Sequence, residues 1–305
     1  MKNRSNEQSA FILLILVVFL WGINSVSIKY LTHFFSPLGL APIRLTLASA
    51  FLLPIVLYQY GFQKIPATAW MPIAGIAVFC IFLHQIALTV GINATSGIHA
   101  VLILGLSPLF TTILSVIFLN ESLTLAKGLG IAFGFSGLLL VAAGQAQTGA
   151  SLLGDGITCI ATLTFAIGSL FVKKATYYVS PLFVTAYSFV LAAIGLNVVG
   201  LVTNSIWVYP DNIGFLPIAV LLFSSFLSTA AGAVLWNISI QKVGASTASL
   251  FLNASPIIGI FASALFLGEE LHWRHFYALI LVMTGVSLGT GILEMPVPAW
   301  FKSRA

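Results

Sequence analysis

The feature that most constrains this chain is an apolar stretch with a proline at its centre. Residues 97–123 read GIHAVLILGLSPLFTTILSVIFLNESL. As a helix, residues 97–119 span about 35 Å at about 1.5 Å per residue, enough to cross the hydrocarbon core of a bilayer. Pro108 follows Ser107 near mid-stretch. It has no N–H, so the carbonyl of Leu104 loses its helical partner and the helix is expected to bend there. Ser107 is one group that can satisfy the freed backbone.

The design recurs. Residues 245–271 read ASTASLFLNASPIIGIFASALFLGEEL, with Pro256 after Ser255. Pro256 lies 148 residues beyond Pro108, and Glu269 lies 148 beyond Glu121. Ser25-x3-Lys29 followed by Ser36-Pro37-Leu38 matches Ser169-x3-Lys173 followed by Ser180-Pro181-Leu182, and Gly137 matches Gly285. The chain reads as two copies of one design, residues 1–148 and 149–305, within a single membrane domain. Paired broken membrane helices are a feature of transporters built from two halves.

Composition sets the surroundings. Of 305 residues, 59% are hydrophobic and 6% charged, with mean hydropathy +1.09; soluble domains carry about 25% charged residues. So few charges do not cover a soluble fold, which implies an all-α, polytopic membrane protein in a lipid bilayer. The net charge of +5 is spread thinly, which suits membrane orientation and not nucleic acid. Cys80 and Cys159 fall in apolar runs and read as packing residues without a disulfide framework. The apolar run after Lys2 and Arg4 is too long for a cleaved leader and reads as a first span.

Ten spans follow, roughly 10–30, 37–58, 70–90, 97–119, 126–144, 152–172, 181–202, 214–238, 245–267 and 276–292. Five spans per copy is an odd number. The second copy then enters from the opposite face, giving an inverted repeat with a pseudo-two-fold axis in the membrane plane. With the N-terminus inside, nine Lys and Arg fall on the inner side and three on the outer, which predicts cytoplasmic N- and C-termini in a plasma (inner) membrane.

Trp21-Gly22, Lys29, Ser36-Pro37, Arg44, Ser107-Pro108 and Asn120-Glu121-Ser122, with their second-half echoes, resemble the EamA-type members of the drug/metabolite transporter superfamily. The resemblance covers nearly the whole chain. It implies a ten-helix exporter with a cavity between the halves, carrying small metabolites such as amino acids, aromatic ones included, with no cofactor. An importer or exchanger of a nucleobase or sugar derivative is the alternative. A channel is the non-enzymatic rival. Gly134-Phe135-Ser136-Gly137 matches the GxSG of intramembrane serine proteases, a remote enzymatic alternative, and no HExxH, P-loop or CxxC occurs.

Polar groups on the spans are the candidate cavity residues: Trp21, Asn24, His84, Gln85 and Asn253 near mid-depth, and Tyr187 nearer the inner end. Buried in lipid they must be satisfied internally, by a substrate or by other helices. Pro108 and Pro256 are candidate hinges, or static kinks. Every acid sits at a span end or in a loop, so proton coupling, if present, falls to His84. Arg44 reads as a helix-tying residue, or as the partner of a substrate carboxylate. Glu121 and Glu269 end their helices where the dipole is negative and are expected to hold the following loops, Glu121 through Lys127. Gly130-x3-Gly134 and Gly285-x3-Gly289 predict close helix packing, within the chain or between two copies, which leaves monomer and homodimer open.

Overall fold

A computed structural model describes residues 2–61, 64–118, 123–143, 150–205, 213–244, 247–248 and 251–290. Among these, every regular element is helical. The helices are α1 (Lys2–Leu31), α2 (Pro37–Tyr60), α3 (Ala67–Ala94), α4 (Gly97–Phe118), α5 (Leu125–Ala142), α6 (Leu152–Tyr178), α7 (Pro181–Val202), α8 (Phe215–Val243), α9 (Leu252–Leu267) and α10 (Trp273–Gly289). The first eight are long and apolar enough to cross a membrane; α9 and α10 are shorter. The chain is thus an all-α polytopic membrane protein.

Serine hydroxyls start four of these helices. Ser36, Ser96, Ser151 and Ser180 accept hydrogen bonds from the N–H groups of Gly39, His99, Gly154 and Phe183. Pro37 and Pro181 follow two of them, where the missing N–H costs nothing. The repeated Ser-Pro of the sequence is therefore a helix start in both copies.

Both broken helices break just before their prolines. In α4 the α-helix covers Gly97–Leu104 and resumes at Ser107–Phe118. In α9 a 3-10 turn, Leu252–Ala254, passes into α-helix at Ser255, with Pro256 in its first turn. The two breaks touch. A Cβ on Gly105 would lie 2.4 Å from Pro256 Cγ, so only glycine admits the contact.

Helices α5 and α10 cross at equal intimacy. A Cβ on Gly130 would lie 2.4 Å from the Gly289 nitrogen, and one on Gly285 would lie 2.5 Å from that of Gly134. The two GxxxG runs therefore meet within one chain. Elsewhere α1 packs on α8 and α9, α2 on α7, and α3 on α6. Each of these pairs joins one half of the sequence to the other, so the core is the junction of the halves.

Two π-helical segments interrupt the third helix of each half, Ile76–Leu83 in α3 and Phe223–Ala231 in α8. Nothing in the hydropathy pattern announces them. Each widened turn changes the angle at which the following residues project, and such turns gather at functional sites.

Candidate functional site: a cavity between the two halves

The junction holds a cavity of about 140 Å³. Its wall comes from α1, α3, α4, α6, α7, α8 and α9; α5 and α10 stay outside, packed on each other. Ser107 and Ser255, beside the two prolines, both reach it. Of the sequence candidates, Trp21, Asn24, His84 and Gln85 line it.

Tyr187 and Asn253 do not belong to the lining. Thr185 and Phe189 face the cavity from α7, one helical turn apart, which turns Tyr187 to the other side. There its ring stacks on Phe183 at 5.1 Å and meets Trp70 edge-on at 6.1 Å. Leu252 and Ser255 likewise face the cavity from α9 and leave Asn253 rotated off it.

One wall is aromatic. Trp21 lies 5.6 Å from Phe165 and 5.3 Å from Trp236, and Phe165 lies 5.3 Å from His84. Trp21 is held by its Nε1–H, which donates to the Ser228 carbonyl at 3.1 Å. His84 Nδ1 sits 2.8 Å from the carbonyl of Ala161. A carbonyl only accepts, so Nδ1 carries the proton and neutral Nε2 is left as an acceptor. Phe165 escaped the sequence reading because one phenylalanine among 24 carries no positional signal.

Behind the polar part of the wall lies Arg44, fully buried. Its Nε donates to Ser224 Oγ at 2.7 Å, Nη1 to Gln85 Oε1 at 3.1 Å and Nη2 to Thr229 Oγ1 at 2.7 Å. Ser224 passes its own proton to Asn24 Oδ1 at 2.6 Å. Ser224 and Thr229 belong to the π-helical turn of α8, and Gln85 follows that of α3. Arg44 thus ties α2 to α3 and α8 directly, and to α1 through Ser224.

At one end, a polar clasp joins the halves. Lys29 Nζ donates to the carbonyls of Ile92, Asn93 and Thr95, at the C-terminus of α3. Thr95 Oγ1 donates to Asp155 Oδ1 at 2.5 Å, and His99 Nδ1 lies 3.3 Å from Asp155 Oδ2. The Glu269 carboxylate accepts from the N–H groups of Gly97 and Ile98 at 2.6 and 2.9 Å. It does not hold the loop after its own helix, as expected; it caps the positive end of α4, across the junction. Glu121, its sequence counterpart, lies outside the described residues.

The cavity runs from Leu88 and Val101 toward Thr185 and Asn237, away from this clasp. Lys173, the counterpart of Lys29, lies about 27 Å further along α6 than Asp155. Ser136, of the GxSG run, donates only to Ala132 of its own helix.

A model of the EamA-like transporter family matches residues 8–143 and again residues 152–290. The chain is 32% identical over 284 residues to the "Uncharacterized transporter YyaM" of Bacillus subtilis, covering 88% of this chain and 89% of that one. It is 25% identical over 282 residues to the "Probable amino-acid metabolite efflux pump" of Escherichia coli, covering 90% and 92%. A solved crystal structure, 17% identical, superposes with a TM-score of 0.69 over 95% of this chain and 99% of the other.

Proposed function

Because the chain belongs to the EamA-like transporter family, we propose that it is a secondary active carrier exporting small metabolites by alternating access through the central cavity. The family match supports a transporter. Amino acids, aromatic ones included, are the substrates we assign. The observation that carries this is the composition of the cavity wall, which joins the aromatic rings of Trp21, Phe165 and Trp236 to the polar groups of Asn24 and Gln85. The name of the E. coli relative points the same way.

In this reading the two family matches are inverted five-helix repeats, in a plasma membrane with both termini cytoplasmic. The touching breaks at Pro108 and Pro256 are the hinges on which the halves rock. The clasp then closes the outer end while the cavity faces the cytoplasm. Proton entry, where it drives export, uses the free Nε2 of His84 at the cavity wall.

Reconstituted vesicles test this. Flux of radiolabelled L-phenylalanine is expected to saturate and to be competed by other aromatic amino acids, with a pH-gradient dependence that His84→Ala removes. Linear, uncompeted flux would mean a channel. Saturable flux of a nucleobase or sugar derivative alone would shift the substrate to that class.

A further inference from the structure

We propose that the cavity receives the carboxylate of its substrate between the side-chain amides of Asn24 and Gln85, and that Arg44 is the positioning residue that aims both. This rests on the carrier reading above and specifies its binding site.

The argument follows proton direction. A guanidinium only donates. Gln85 must therefore turn its oxygen toward Arg44 Nη1, 3.1 Å away, which leaves its N–H₂ directed elsewhere. Ser224 Oγ accepts from Arg44 Nε at 2.7 Å, so its single proton goes out, to Asn24 Oδ1 at 2.6 Å. Asn24 is thereby oriented in the same sense, oxygen toward the arginine and N–H₂ away. Both residues line the cavity. One buried cation thus fixes two amides from two helices with their donors toward the same space.

Charge balance points to an anion there. The three hydrogen bonds of Arg44 go to neutral oxygens of Ser224, Gln85 and Thr229. They give each guanidinium nitrogen one partner without neutralising the charge, in a site with no exposure to solvent. A buried charge without a counterion is costly, and a polarised hydrogen-bond chain carries its field outward. The outlet of both chains is the pair of amide donors. Two donors from one centre suit the two oxygens of a carboxylate.

The remaining wall fits the rest of such a molecule. His84 Nε2 is an acceptor and suits an ammonium group, and Trp21, Phe165 and Trp236 suit an apolar side chain. The Trp236 indole N–H is buried and has no partner among the described residues.

A matched pair of probes separates this role from helix tying alone. L-Phenylalanine and L-phenylalaninamide share ring and amine and differ in the carboxylate. Binding to the purified full chain is expected to favour the acid by about tenfold or more. Gln85→Glu keeps a bond to Arg44 but removes the donor and cancels the charge. The folded variant is expected to lose that preference. Arg44→Lys, which cannot hold Ser224, Gln85 and Thr229 in one plane, is expected to weaken phenylalanine more than its amide.

Equal binding of acid and amide by the wild type would overturn the carboxylate site and leave the amino-acid reading standing. So would a Gln85→Glu protein with its preference intact. Binding of phenylacetate without any amino acid would do the reverse. Silence of the amino acids and phenylacetate alike would overturn both.

Discussion

The two ends of the cavity are built from matching sequence and are tied very differently. At one end Lys29 caps three carbonyls, Glu269 caps two N–H groups, and Asp155 joins Thr95 to His99. At the other end the Lys173 side chain is exposed and makes no hydrogen bond among the described residues, and Glu121 and Ala245, the counterparts of Glu269 and Gly97, lie outside them. The described links there are Gln241 to the Thr176 carbonyl at 3.2 Å and Lys242 to Ser9 Oγ at 2.8 Å. On the carrier reading proposed above, the fastened clasp belongs to one side of the transport cycle. On that reading it is a state of the repeat and not a fixed feature of one half.

Cys80 lines the cavity and Cys159 is the other cysteine, so a Cys159→Ala protein carries a native reporter of access. The largest effect is expected from Lys29→Ala. It removes three charge-assisted hydrogen bonds, and losing even one, at about 1.5–3 kcal/mol, is enough for about a tenfold rise in Cys80 alkylation from the clasp side. Glu269→Ala removes the cap of α4, worth about 0.5–2 kcal/mol, and is expected to raise the same rate about fivefold. Asp155→Asn keeps an oxygen for Thr95 and loses the charge facing His99, with about a twofold rise expected. Lys173→Ala is expected to leave resting alkylation unchanged while slowing turnover, because its clasp belongs to the other half of the cycle. A Lys173→Ala effect equal to that of Lys29→Ala would erase the distinction between the ends.

Much of the fold was legible because membrane burial forces simple signals. Long apolar runs, proline breaks and GxxxG runs each follow from backbone chemistry, and the structure places them as read. Helix rotation was less legible. Asn24 and Gln85 reach the cavity while Tyr187 and Asn253, also polar, turn away, because a wall set by two neighbouring residues excludes those between. The π-helical turns, Ser224 and Thr229 were missed for a related reason. Small hydroxyl residues are common in membrane helices, and only the partner, Arg44, marks these two. Asp155 and Glu269 were read as span-end acids; the partners described above lie on α4 and in the link before it, distances that no local pattern reports.

The most direct test of the account asks whether Cys80 sees one side of the membrane at a time. In oriented vesicles carrying the Cys159→Ala protein, a membrane-impermeant maleimide is expected to react with Cys80 from the Lys173 side and not from the Lys29 side, with transported substrate slowing the reaction. Equal reaction from both sides of the unmodified clasp, or a rate indifferent to a substrate the protein carries, would contradict a cavity that alternates between two ends.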